Sequence, residues 1–215
     1  MKNSRHYSAI DHLISTVDNG LRTIFGQPII TERPNPATNI EEGEITSEQR
    51  QLAGRLMRIN HAGEVSAQGL YQGQSITARL PEVRSKMERA ALEENDHLAW
   101  CKTRTKELGT HVSLMNPLWY MGSLTIGAIA GLAGDKWSLG FVVETERQVV
   151  KHLDEHMAKI TPKDEKSQTI LQQMKEDEAR HATVALHAGG AELPLPIKGM
   201  MKLTSKIMTK TAYWV

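Results

Sequence analysis

Two short segments carry the residues best suited to chemistry. Glu94-Asn95-Asp96-His97 and Glu178-Ala179-Arg180-His181 each space a glutamate and a histidine three residues apart. On a helix that spacing puts both side chains on one face. Alone, such a motif often marks a solvated face of a charged helix. The neighbours argue otherwise. The face of Glu94 and His97 continues through Met87, Ala90, Cys101 and Leu108, and that of Glu178 and His181 through Leu171, Met174, Ala185 and Ala188. Polar groups on an apolar stripe must be desolvated, which costs several kcal/mol unless they are paired. A bound cation is the economical partner.

Each motif has a glutamate upstream. Glu64 precedes Glu94 by 30 residues and Glu146 precedes Glu178 by 32. Glu64 shares a stripe with Ala53, Met57, Ala67 and Tyr71, and Glu146 with Leu139, Val142, Val143, Val149, Val150 and Leu153. Glu144 is the rival to Glu146, but it lies about 200° around the helix and points away. A helix pair used twice thus supplies Glu64, Glu94, His97, Glu146, Glu178 and His181. Four Glu and two His are the ligand set of the ferritin-like dinuclear carboxylate bundles. Oxygen-rich ligands with one imidazole per metal suit iron or manganese better than zinc. His61, His152 and His187 lie near the same faces, as ordinary buried or surface histidines or as groups that orient a carboxylate.

The elements that must position these residues are helical. Periodic apolar residues predict helices at about 8–25, 46–74, 82–108, 117–133, 136–160, 164–189 and 198–213. The separators are Pro81, Gly109, Asn116-Pro117, Gly134-Asp135, Thr161-Pro162 and Gly189-Gly190, and Thr46-Ser47-Glu48-Gln49 has the form of a capping box. Residues 26–44, with Pro28, Pro34, Pro36 and Gly43, read as an irregular connection. The expected fold is all-α, a ferritin-like four-helix bundle with extra apolar and C-terminal helices. Residues 1–45 form an N-terminal amphipathic helix and linker, and 46–215 the di-iron domain. The N-terminal apolar residues (Ile10, Leu13, Ile14, Val17, Leu21, Ile24) are periodic, so the segment reads as an amphipathic helix and not as a secretory signal.

Composition narrows the function classes. The 215 residues carry a net charge of +1, which gives no drive toward nucleic acid. The single Cys101 excludes an internal disulfide framework and a multi-cysteine metal site, including the four-cysteine module of a rubrerythrin-like peroxidase. From Val112 to Gly134 there is no charged side chain, yet Asn116, Pro117, Ser123, Thr125 and four glycines dilute its hydrophobicity. A helix dipping into one leaflet, or a core helix with an apolar outer face, fits better than a membrane span. Lys198, Lys202, Lys206 and Lys210 step along a C-terminal segment with Met200, Leu203, Ile207 and Trp214 on other faces. That is a basic amphipathic pattern suited to a membrane surface.

Asn60-His61-Ala62-Gly63-Glu64 with Tyr71-Gln72-Gly73-Gln74, then Glu94-Asn95-Asp96-His97-Leu98, resemble the first two ligand helices of the demethoxyubiquinone hydroxylases. The uncharged 118–134 stretch, Glu146 with His152, Glu178 to His181 with His187, and Ala191-Glu192-Leu193-Pro194 are similar to later parts of that family. The resemblance runs from about Glu48 to the C-terminus and leaves the first 45 residues uncovered. It carries over the same six ligands. Shorter family members have His-Tyr where this chain has His152-Leu153, so a tyrosine relay there does not carry over.

The resemblance implies a monooxygenase that hydroxylates the ring of a demethoxyubiquinol in ubiquinone biosynthesis. It would use two Fe ions, O₂, and NADH or a quinol as reductant. Two ferrous ions about 3.5–4 Å apart supply the two electrons for O₂ reduction. No Gly-x-Gly-x-x-Gly fingerprint is present, so NADH would bind another way or act through a partner. The implied partners are the prenylated benzoquinol, the membrane surface and other ubiquinone-biosynthesis proteins, at the cytoplasmic side of the cell membrane. A ferritin-like iron-binding or ferroxidase protein shares the ligands and is the alternative, and a manganese catalase shares their logic.

Overall fold

Helix starts and stops follow local chemistry. The computed structural model describes residues 9–26, 30, 31 and 33–215, with only the backbone of residues 9, 10, 12 and 13. The expectations placed on Pro28 and on the side chains of Ile10 and Leu13 lie outside the described residues. Seven helices follow one another: α1 (Ala9–Phe25), α2 (Ser47–Thr77), α3 (Pro81–Glu107), α4 (Asn116–Leu132), α5 (Asp135–Lys159), α6 (Glu165–His187) and α7 (Leu195–Ala212). No strand occurs among the described residues.

Thr46 closes a full capping box. Its hydroxyl accepts from the Gln49 N–H at 3.2 Å, and its own N–H donates to Gln49 Oε1 at 2.9 Å. Asp164 caps α6 by accepting from the Ser167 N–H at 3.0 Å. Gly109, Gly134 and Gly189, which follow α3, α4 and α6, take φ of 74°, 110° and 100°, a conformation that favours glycine. α7 begins three residues ahead of its expected start, because Pro196 near its first position presets the helical φ.

Helices α2, α3, α5 and α6 form the bundle, with α3 antiparallel to α2 and α6 to α5. Two buried apolar clusters lie along its axis. One end holds Met57, Cys101, Leu153, Leu171 and Met174. The other holds Tyr71, Met87, Leu139, Val142 and Ala185. The predicted metal residues fall between them on all four helices.

α4 explains the glycines of the uncharged segment. Gly69 and Gly73 of α2 meet the α4 backbone at Tyr120 and Leu124, and Gly127 of α4 meets Leu70. A Cβ at any of these positions would overlap backbone, so glycine is what lets the helices approach this closely. The opposite face of α4 leaves Leu118, Met121, Ile126, Ile129 and Leu132 exposed. Trp119 instead packs inward against the first cluster. α1 packs on α2 and α4 and leaves Ile14, Val17, Leu21 and Phe25 exposed, while α7 exposes Leu195, Met200, Leu203 and Ile207, and Trp214 just after it is exposed too. No described helix is long and apolar enough to cross a membrane.

Candidate metal centre

The ligand-type residues arrive by helix phase. Glu64 on α2, Glu94 and His97 on α3, Glu146 on α5, and Glu178 and His181 on α6 are all buried. Glu144 is only partly buried and is occupied elsewhere, accepting from Gln148 at 2.8 Å and pairing with Lys198 at 3.3 Å.

The six residues form two overlapping groups. Glu64, Glu94, His97 and Glu178 have potential ligand atoms within 4.8 Å of one another, and so do Glu94, Glu146, Glu178 and His181. Glu94 and Glu178 belong to both. Each divides its oxygens between the two histidines. His97 Nδ1 lies 3.0 Å from Glu94 Oε2 and 3.1 Å from Glu178 Oε1. His181 Nδ1 lies 3.1 Å from Glu94 Oε1 and 3.2 Å from Glu178 Oε2. Two cations held here would share Glu94 and Glu178, with Glu64 and His97 on one side and Glu146 and His181 on the other.

The donor set fits a pair of divalent cations. One imidazole N–H satisfies one acceptor, yet each Nδ1 faces several carboxylate oxygens. Glu94 Oε1 and Glu178 Oε1 are buried without a hydrogen bond, although an Nδ1 is 3.1 Å from each. Four carboxylates, if ionised, carry a charge that two divalent ions would neutralise. Burial pushes the Glu64 and Glu146 carboxyls well up, with the facing charges of Glu94 and Glu178 next in effect. Burial alone would lower the histidines. Glu94 and Asp177 instead hold His97 well above its ordinary value, and Glu178 and Glu93 do the same for His181.

The outer nitrogens of the histidines are also engaged, and by residues that the sequence reading passed over. His97 Nε2 lies 2.9 Å from Asp177 Oδ2, and His181 Nε2 lies 2.8 Å from Glu93 Oε2. Asp177 immediately precedes Glu178, and Glu93 immediately precedes Glu94. Each motif therefore supplies the acid that backs the other motif's histidine. Such backing orients a ligand ring and raises its basicity. Glu93 falls to about 2, first through its hydrogen bond to His181. An acid directly before each Glu-x-x-His was the available signal. Tyr71 was also placed only in the core; its hydroxyl donates to Glu146 Oε1.

Of the three histidines left open, two have other partners. His61 is buried with Nδ1 3.4 Å from Asn116 Nδ2. The His152 ring lies tilted at 57° against His156 with centroids 3.9 Å apart, and His187 is exposed. His156 Nδ1 lies 2.8 Å from Asn60 Oδ1.

The two ends of the site differ in access. On the His181 side a half-open cavity of about 310 Å³ reaches inward, lined by Tyr71, Met87, Leu139, Val142 and Val184, with Glu93 and His181 inside and Arg89 and Arg180 among its polar lining. That volume and lining suit a small aromatic ligand. On the His97 side the first apolar cluster fills the bundle.

A family model described as ubiquinone biosynthesis protein COQ7 matches residues 51–212. A 3-demethoxyubiquinol 3-hydroxylase of Nitrosococcus oceani is 60% identical over 211 residues, covering 98% of this chain and 99% of that protein. Proteins of the same name from Acinetobacter baumannii and Stutzerimonas stutzeri are 53% and 55% identical, each covering at least 98% of this chain and 99% of the relative. These similarities extend into the N-terminal residues that the motif-based resemblance leaves uncovered. The chain belongs to the COQ7 family of ubiquinone biosynthesis proteins.

Proposed function

We propose that this chain is a di-iron monooxygenase that hydroxylates the ring of a demethoxyubiquinol with O₂, the activity for which its relatives are named. The single observation that carries the reading is the sharing of Glu94 and Glu178 between two groups of ligand atoms. In this reading Glu94 and Glu178 bridge, Glu64 with His97 and Glu146 with His181 are terminal, and all six act as both metal ligands and catalytic residues. When bound, the two irons supply the electrons and the electrophilic oxygen that an electron-rich quinol ring accepts. NADH or a quinol returns those electrons.

The protein's own residues do the rest. Tyr71 and Glu93 hold Glu146 and His181 from outside, so the ligands are oriented before metal arrives. The cavity beside His181 receives the quinol ring between Met87, Leu139, Val142 and Val184. The packed cluster beyond His97 keeps water from the far side. A long prenyl tail sits in a bilayer, so the exposed apolar faces of α1, α4 and α7 dock the protein on the cytoplasmic side of the cell membrane. Residues 1–45 then serve as an appended helix and linker to the 46–215 di-iron domain.

A strain deleted for the gene tests this reading. It should accumulate the demethoxy quinone, and the wild-type chain should restore ubiquinone while Glu94→Ala does not. Restoration by Glu94→Ala, or purified wild-type protein that stores iron without forming hydroxylated quinol, would favour the ferroxidase alternative.

A further inference from the structure

The acid that backs His97 is itself held from an unexpected place. Asp96 and Asp177 have side chains with no exposure at all. Arg33, from the irregular segment ahead of the bundle, spans both. Its Nε donates to Asp96 Oδ2 at 2.8 Å and its Nη1 to Asp177 Oδ2 at 2.8 Å. The Asp177 oxygen it holds is the one that faces His97 Nε2. The guanidinium also lies 5.3 Å from the centre of the Trp100 ring, and that ring lies 5.3 Å from His97. Thr31 ties the same segment down, its N–H donating to Asp96 Oδ1 at 2.7 Å and its hydroxyl to Oδ2. Arg180 meets the other Asp177 oxygen, Oδ1, at 2.9 Å, which leaves Oδ2 to Arg33 and His97.

The other half of the site is backed from within the bundle. Glu93, behind His181, is held by Arg89 of α3 and Arg180 of α6. The two histidines thus have equivalent acids, but only the His97 acid is secured by a residue outside the four-helix frame. A planar guanidinium bridging two carboxylates fixes both in orientation, which a point charge does not.

We propose that Arg33 is a positioning residue of the metal centre, holding the Asp177 oxygen that orients the His97 imidazole, so that the N-terminal segment completes one of the two metal positions. The proposal rests on the reading that the six residues bind two metal ions. It assigns Arg33 no contact with substrate or metal.

Cobalt(II) titration of the metal-free, full-length protein tests it, followed by visible absorption and by competition with a chelator. Wild type should take two ions. Arg33→Gln should weaken one of the two by about 10–100-fold, the usual effect of losing an outer partner, and leave the other unchanged. Arg33→Lys, which keeps the charge but not the span, should weaken the same ion less and carries the test if Arg33→Gln does not fold. Thr31→Val, which removes a hydroxyl bonded to Asp96 and to the Arg33 backbone N–H but leaves both guanidinium bonds in place, should bind both ions as wild type does. Equal binding by wild type and both Arg33 variants would overturn the proposal. So would a Thr31→Val loss as large as that of Arg33→Gln, since the effect would then pass through packing of the segment. A wild-type chain that takes no cobalt would overturn the metal reading with it.

Discussion

The two ends of the bundle are built on one plan and finished differently. At each, one glutamate (Glu64 or Glu146) and one histidine converge on the same two glutamates, Glu94 and Glu178, and an acid one residue ahead of a motif backs the facing histidine. Beyond His97 the interior is filled by Met57, Cys101, Leu153 and Met174, and the segment carrying Arg33 lies across the outside. Beyond His181 the apolar residues line a cavity and the backing Glu93 is partly exposed. An internal repeat therefore supplies both halves of the cluster, and the His181 half is the one reached by the cavity. In the proposed enzyme, closing one end would keep water from the centre and opening the other would admit substrate.

The largest expected effects come from residues common to both ends. Glu94→Ala and Glu178→Ala each remove a bridge, so iron should fall from about two per chain to well below one and hydroxylation should be lost. Glu64→Ala removes a terminal group from one end and should spare the other ion. Full iron retention in Glu178→Ala, measured by elemental analysis, would break the bridging assignment. Burial raises Glu64 and Glu146, and facing carboxylates raise His97 and His181, so metal loading should displace protons and tighten as pH rises.

A smaller effect separates the ends. Val184→Trp fills the cavity beside His181 from a half-exposed position. It should lower kcat/KM by at least about tenfold, ~1.4 kcal/mol, with iron content unchanged. An unaltered kcat/KM would mean that substrate reaches the centre by another path. Smaller again is the surface contribution. Ile129→Asp on the exposed face of α4 should reduce turnover of a long-tailed quinol by several-fold and spare a short-tailed one, in line with ~1.5–3 kcal/mol per buried apolar side chain at most. Equal losses with both substrates would argue against membrane docking through α4.

Much of this was legible in the sequence because helix periodicity converts spacing directly into facing. The six clustered residues, the preference for Glu146 over Glu144, and most helix boundaries (the start of α7 and the end of α2 each lie three residues off) follow from 3.6-residue geometry and punctuation by Gly and Pro. What was not legible depends on contacts between distant segments. Arg33 is 144 residues from Asp177, and nothing in the pattern of an irregular, proline-containing stretch marks its partner. The cross-over of Asp177 to His97 and Glu93 to His181 likewise needs the antiparallel packing of α3 against α6. Trp119 faces inward because Gly127 and Gly131 fix which side of α4 meets α2, a choice that hydrophobicity alone leaves open.

The smallest effect tests the dryness of the closed end. His156 lies there, buried on α5 and hydrogen-bonded through Nδ1 to Asn60 Oδ1 at 2.8 Å. Burial holds it down to about 2, with His152 and Lys159 adding to the shift. In the folded protein His156 therefore stays neutral far below its ordinary value near 6.5, while the unfolded chain takes up a proton there. The sign follows from proton counting. The unfolded state binds more protons below about pH 6.5, so stability falls as pH falls from there toward the folded value. One such histidine contributes about 1.4 kcal/mol per pH unit over the acidic part of that window. His156→Gln keeps a polar side chain but cannot titrate. Urea unfolding of the metal-free variant and wild type between pH 6.5 and 5 should show a shallower acid loss in the variant, whatever its offset at neutral pH. Parallel curves would mean that water reaches His156 in the folded protein, and the closed end would then be no drier than the open one.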